Sequence, residues 1–173
     1  MQYEADTGKV PAPISSLRNT MINKTALYIA TLGPVGNLPK MPGTWGSLVS
    51  AAAAPWLFLP FSLPLRMALL GLVLILGAWA ATEAEKALGK KDPGCVIIDE
   101  LFGQWLTMLP FAALSPAHIA AAFILFRVFD IAKPWPIKRA ETLFPKGFGV
   151  MIDDGIAGVF AGAILYFLLP FIP

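Results

Sequence analysis

Apolar residues fall along this chain in five long blocks, and charge lies outside them apart from Arg127 and Asp130 near the end of the fourth. The blocks cover residues 45–63, 67–81, 101–114, 117–131 and 156–171. No charged residue occurs between Lys40 and Arg66, between Glu100 and Arg127, or after Asp154. The blocks lack the strict alternation of half-buried strands, and their Ala, Leu, Gly and Met content suits helix. The pattern predicts an all-α protein, a compact bundle of about five apolar helices. Pro55 and Pro60 interrupt the first block, which predicts a kinked or re-entrant segment. Ser115 and Pro116 mark a turn between the third and fourth. Most blocks fall short of the roughly 20 residues that cross a hydrocarbon core. The expectation is that their polar ends reach into the headgroups or that the bilayer thins around them.

Composition turns this pattern into a membrane assignment. Hydrophobic residues make up 57% of the chain and charged residues 14%, with a mean hydropathy of +0.68. A soluble domain carries about 25% charged residues. The sequence therefore reads as one integral membrane domain, residues 24–173, preceded by a polar, mobile tail, residues 1–23. That tail has no apolar core of a signal peptide. A net charge of +2 argues against nucleic acid as a partner. The single Cys95 excludes an internal disulfide, and the single His118 excludes two-histidine metal sites; His118 reads as a turn or interface residue. With five crossings, 12 basic residues collect on one side and Arg66 alone on the other. The excess of Lys and Arg places the rich side in the cytoplasm.

The same topology gathers the chemistry-bearing motifs at that cytoplasmic face. FRVFDIAKPWPI spaces Arg127, Asp130 and Lys133 three apart, on one helix face. Arg offers a planar fork to phosphate oxygens and Lys a point charge. CVIIDELFGQW puts Asp99 and Glu100 before an apolar block, with Gly103 available for close helix approach. MIDDGIAGVFAG puts Asp153 and Asp154 ahead of a block whose Gly158 and Gly162 form a small-residue packing face. PGTWGS brings Thr44 and Ser47 to a helix start where N–H groups and hydroxyls suit phosphate. Each motif also has a plain structural reading: helix capping for the acid pairs, membrane-edge anchoring for Arg127 and Lys133, a simple turn for PGTWGS. Their coincidence points further. Five carboxylates without His or Cys favour Mg²⁺ over zinc. No P-loop lysine, cysteine-phosphatase loop or Asp-x-Asp pair is present.

The ordered set PGTWGS, VIIDELFGQW, FRVFDIAKPWPI and MIDDGIAG resembles the phosphatidylglycerophosphatase A family of bacteria, over residues 33–162. The resemblance implies a Mg²⁺-dependent phosphatase that converts phosphatidylglycerophosphate to phosphatidylglycerol and inorganic phosphate. It implies a multi-pass protein of the bacterial cytoplasmic (inner) membrane whose active site faces the cytoplasm, with a phospholipid as substrate partner. By motif, Asp99, Glu100, Asp130, Asp153 and Asp154 would be the catalytic and metal-binding acids. Thr44, Ser47, Arg127 and Lys133 would meet the phosphate. Two alternatives stand beside this reading: a CDP-alcohol phosphotransferase-like phospholipid enzyme, and a non-catalytic membrane scaffold or transporter subunit.

Overall fold

Helices start and stop here at residues that leave little choice. Pro in the first turn opens three of them, where its missing N–H costs nothing. The computed structural model describes residues 14–135, 137 and 147–172. Among these residues the chain is all helical: α1 (Ile14–Ala30), α2 (Pro42–Leu57), α3 (Leu63–Leu88), α4 (Ile98–Met108), α5 (Pro116–Ala132) and α6 (Gly147–Leu168). Gly89 at φ 63° ends α3, its N–H donating to the Glu85 carbonyl. Ser115 caps α5 reciprocally with His118: the hydroxyl accepts from the His118 N–H, and the ring accepts from the Ser115 N–H. His118 is thus a turn residue.

Three sequence expectations shift. Six helices are described rather than five, because α1 takes in residues 14–23, which read as tail; residues 1–13 lie outside the described part. The third apolar block yields only an 11-residue helix, since α4 ends at Met108. The last helix starts well before residue 156, so Asp153 and Asp154 sit in its second turn and do not precede it.

α4 is the axis of the bundle. It packs against α2, α3, α5 and α6, and Ile98, Phe102, Gly103, Gln104, Trp105, Thr107 and Met108 are all buried. Trp105 stacks on Phe58 with ring centroids 4.9 Å apart, and its indole N–H donates to the Ser50 carbonyl at 3.0 Å. α4 and α6 touch backbone to backbone: a Cβ on Gly158 would collide with the Gly103 carbonyl, and one on Gly162 would lie 2.8 Å from the Thr107 carbonyl oxygen. Gly103 itself faces Phe126 and the Asp154 carbonyl.

At the end of the bundle remote from the acidic motifs, Arg66 is buried, 5% exposed. Its guanidinium donates to the carbonyls of Leu59, Phe61 (2.8 Å) and Phe111, with Leu109 and Ala112 at 3.4 Å. It also lies 5.7 Å from the Phe58 ring centroid. One side chain thereby ties the α2–α3 link to the α4–α5 link.

The outer surface is strongly apolar. Trp56, Ile75, Ile124, Tyr166, Phe167 and Phe171 are each more than half exposed, far beyond what a soluble monomer leaves in water. Two helical segments, Leu63–Leu88 and Gly147–Phe171, are long and apolar enough to cross a membrane. These features suggest association with a membrane.

The α4–α6 contact makes a signed prediction. Gly158→Ala forces a methyl against backbone that cannot yield and should cost about 1–3 kcal/mol. Gly71→Ala, on α3 with nothing within 4 Å of its added Cβ, should instead stabilise by about 0.5–1 kcal/mol. Thermal unfolding in detergent reads both; equal effects would mean that the helices do not meet at Gly158.

Candidate active site

Five chain segments meet at one end of the bundle: the start of α2, the loop between α3 and α4, the first turn of α4, the last turn of α5 and the second turn of α6. They surround a cavity of about 190 Å³ lined by Pro42, Gly43, Asp92, Asp99, Glu100, Asp130, Lys133, Asp153 and Asp154, among others. All five acids singled out in the sequence are there. Asp153 and Asp154 lie inside a helix, so N-terminal capping does not account for them. Asp99 and Glu100 do occupy the first turn of α4, where the N-cap residue, Ile97, offers no side-chain cap.

Arg127 holds three helices together. Its Nη1 lies 2.7 Å from both Glu100 carboxylate oxygens, 2.8 Å from Asp130 Oδ2 and 3.3 Å from Ser47 Oγ. Its contacts run through this one nitrogen, so the guanidinium fork expected from the sequence does not grip the carboxylates two-to-two. Ser47 is fully buried and donates to Glu100 Oε2 at 2.7 Å; it positions Glu100. Gly43 is required beside this knot, because a Cβ there would strike Glu100 Oε1. Lys133 stops α5 at φ 38°, a left-handed conformation uncommon for a residue with a side chain. From that turn its ammonium reaches Asp153 Oδ2 at 2.5 Å.

The cavity is crowded with negative charge. Six carboxylates line it, and two cations, Arg127 and Lys133, answer them. Burial pushes the Asp99 carboxyl well above its usual range, and Glu100, Asp153 and Asp92 push it the same way. Burial and Asp130 raise Glu100 to about 7, against the lowering pull of Arg127 and Ser47. Burial works against the Lys133 ammonium, but the bond to Asp153 and the neighbouring acids hold it above its ordinary value. Asp99 Oδ1 and Asp154 Oδ2 are buried with no hydrogen-bond partner, as are both polar atoms of Gln104, one turn deeper on α4.

Thr44 is placed differently from the acids. It lines an apolar groove on the outer side of α2 and α5 rather than the acid cavity, and its hydroxyl is buried without a partner. Asp92 was missed in the sequence. It sits in the polar KKDPG loop, away from any apolar block, at φ 46°, and only the Asp-Pro-Gly turn signal marked it.

Comparison with known proteins defines the class of this helical domain. The family model for phosphatidylglycerophosphatase A matches residues 28–169. A phosphatidylglycerophosphatase A of Escherichia coli is 38% identical over 158 residues, covering 90% of this chain and 89% of that one. One of Haemophilus influenzae is 33% identical over 147 residues, covering 85% and 90%. A Bacteroides thetaiotaomicron protein, provisionally named phosphatidylinositol-3-phosphatase, is 40% identical over 134 residues, covering 73% and 82%. No solved structure matches the chain. The protein is a phosphoric monoester hydrolase. It belongs to the phosphatidylglycerophosphatase A family.

The knot at Arg127 can be tested by a double-mutant cycle. Arg127→Met strands a buried carboxylate and should destabilise by about 2–4 kcal/mol, at or below the range for breaking a buried pair. Adding Glu100→Gln should recover at least about 1 kcal/mol of that, as expected for residues in contact. Chemical denaturation in detergent measures it; additive losses would show that the two side chains are not coupled.

Proposed function

We propose that this chain hydrolyses the terminal phosphomonoester of phosphatidylglycerophosphate, giving phosphatidylglycerol and inorganic phosphate, and that the reaction takes place in the acid cavity. The observation that carries the reading is the convergence of six carboxylates and two cations from four separate segments, in a chain of this family.

Mg²⁺ fits the donor set. The site offers hard oxygen ligands, and two of them, Asp99 Oδ1 and Asp154 Oδ2, lack any partner. Among the described residues no group of three or more such side chains is spaced to hold a metal ion as it stands; Asp99 and Asp154 would hold the ion once Asp153 or Asp130 moved in to complete the set. Charge supports the same conclusion. Six carboxylates against two cations leave an excess of four negative charges when all are ionised. A phosphate dianion would be repelled from such a cavity unless added positive charge met it. The electrostatics that raise the proton affinity of Asp99 and Glu100 are those that favour a divalent cation. When bound, the ion polarises the phosphoryl oxygen and lowers the pKa of water.

The chain's own residues do the rest. Lys133 and Arg127 flank the cavity and offset charge on the phosphoryl oxygens as the P–O ester bond breaks. A carboxylate left free of the ion takes the proton of the attacking water. The leaving oxygen is that of the glycerol headgroup, which takes up a proton to become the alcohol. Ser47 keeps Glu100 aligned against Arg127.

The membrane reading is part of the proposal. The apolar outer surface and the two long helices support a multi-pass protein in the cytoplasmic membrane with the cavity on the cytoplasmic side, where Lys86 lies in the last turn of α3 and Lys90 and Lys91 follow it.

Purified protein in mixed micelles should release phosphate from phosphatidylglycerophosphate. EDTA should stop the release and Mg²⁺ restore it. Asp130→Asn, Asp153→Asn and Asp154→Asn should each lower kcat by about 100-fold or more, worth roughly 2.7 kcal/mol of barrier, with unchanged elution in detergent. EDTA-resistant turnover would remove the metal from the reading. Full activity in all three variants would remove the cavity, and no phosphate release at all would favour a scaffold. Given the Bacteroides relative, the same assay on phosphatidylinositol 3-phosphate should give a lower kcat/KM.

Topology has its own test. In a Cys95→Ser background, a cysteine at Lys90 should be shielded from an impermeant thiol reagent in intact cells, and one at Leu65 labelled. The reverse pattern would invert the protein.

A further inference from the structure

A second cavity shares a wall with the first. It is an apolar groove of about 470 Å³ between the start of α2 and the outer face of α5, within the roughly 300–1,000 Å³ of small-molecule sites. The two cavities divide the same two elements between them. On α2, Pro42 and Gly43 face the acids while Met41 and Thr44 face the groove; on α5, Asp130 lines the acid cavity while Ile124, Val128 and Ile131 line the groove. Arg127 belongs to both sides. It lines the groove, and its Nη1 is bound to Glu100 and Asp130.

We infer that this groove binds the diacylglycerol end of the lipid substrate, seating an acyl chain against α5 while the terminal phosphate occupies the acid cavity. The inference rests on the phosphatase reading and adds the place of the tails. Three observations carry it. Ile124, Val128 and Ile131 form an i, i+4, i+7 apolar row that is 58%, 54% and 63% exposed. The groove is otherwise apolar, yet two of its lining residues hold polar atoms with no protein partner, Thr44 Oγ1 and Arg127 Nε. Both can donate, which suits an oxygen acceptor. A lipid phosphomonoester supplies one between head and tails, in the internal phosphodiester or an acyl ester. The wall at Arg127 is thin enough for one side chain to serve both cavities, as a short headgroup between phosphate and tails requires.

The test compares long-chain with dihexanoyl phosphatidylglycerophosphate in the same mixed micelles, using Ile124→Trp and Val128→Trp, with Ile75→Trp on the lipid-facing side of α3 as control. The wild-type ratio of kcat/KM for long over short chains should fall about ten-fold in both α5 variants and hold in the control. Because the ratio comes from one preparation, partial misfolding cancels. A diazirine placed in the acyl chain of a phosphomonoester lipid should label peptides within residues 123–132. Unlabelled phosphomonoester lipid should compete, and phosphatidylcholine of the same chain length should not. An unchanged ratio, or labelling that both lipids compete equally, would show that the groove meets only bulk lipid and overturn the inference. If wild-type protein releases phosphate from neither substrate, the phosphatase reading itself fails, and the labelling result still decides whether the groove selects phosphomonoester lipids.

Discussion

Everything at the acidic end depends on the ion pair between Arg127 and Glu100. Glu100 sits on α4, Arg127 and Asp130 on α5, and Ser47 on α2, so one guanidinium nitrogen fixes the spacing of three helices. Burying these groups is costly, and a buried pair is weak evidence for stability in its own right. What the pair does supply is position. With α4 and α5 pinned at this end, Asp99 is carried to the cavity from α4 and Asp130 from α5. The α4–α6 contact at Gly103 and Gly158 then brings Asp153 and Asp154 up to them. The cavity is thus electrostatically unfavourable in isolation and sterically enforced. Such a site stores a demand for positive charge, which protons meet partly in the raised affinities of Asp99 and Glu100 and which a divalent ion would meet better.

Charge patterning made most of the site legible in the sequence. Carboxylates at the borders of long uncharged blocks are costly, and alternation of the blocks was enough to bring Asp99, Glu100, Asp130, Asp153 and Asp154 to one end. Arg127 and Lys133 followed from their three-residue spacing. Helix boundaries were harder. Residues 147–155 carry five glycines or acids, weak helix formers, yet they form the first turns of α6 because glycine permits the close packing found there: a Cβ on Gly147 would strike the Ala78 carbonyl. Tertiary contact overrode propensity. Asp92 escaped because its polar loop carries no hydrophobic border, and its approach to the cavity depends on how the loop folds back. Thr44 and Ser47 were located correctly at the start of α2. Residues three apart differ by about 60° around a helix, and that rotation is enough to turn Ser47 to Glu100 and leave Thr44 at the groove, which spacing alone did not resolve.

The short central helix raises a constraint that Arg66 answers. Eleven residues rise only about 16 Å, so α4 is far shorter than α3 and α6, the two helices long and apolar enough to cross a membrane. A helix that stops inside an apolar bundle leaves carbonyls without partners where water has little access. The structure meets this in two ways. α4 is enclosed by α2, α3, α5 and α6, so it faces protein. Arg66 then spreads its donors over the carbonyls of Leu109, Phe111 and Ala112 beyond α4, and of Leu59 and Phe61 beyond α2. These carbonyls lie just past the C-terminal ends of α2 and α4, where the helix dipoles are negative, and they solvate the cation in place of a carboxylate. No acidic residue lies between Glu100 and Asp130 or between Asp6 and Glu83, so neither link could have supplied a carboxylate. The two ends of the bundle therefore solve opposite problems. At one, carboxylates outnumber cations and the excess is left for chemistry. At the other, a single cation is solvated by backbone carbonyls and the Phe58 ring, which closes off the end of the short, central helix that carries Asp99 and Glu100.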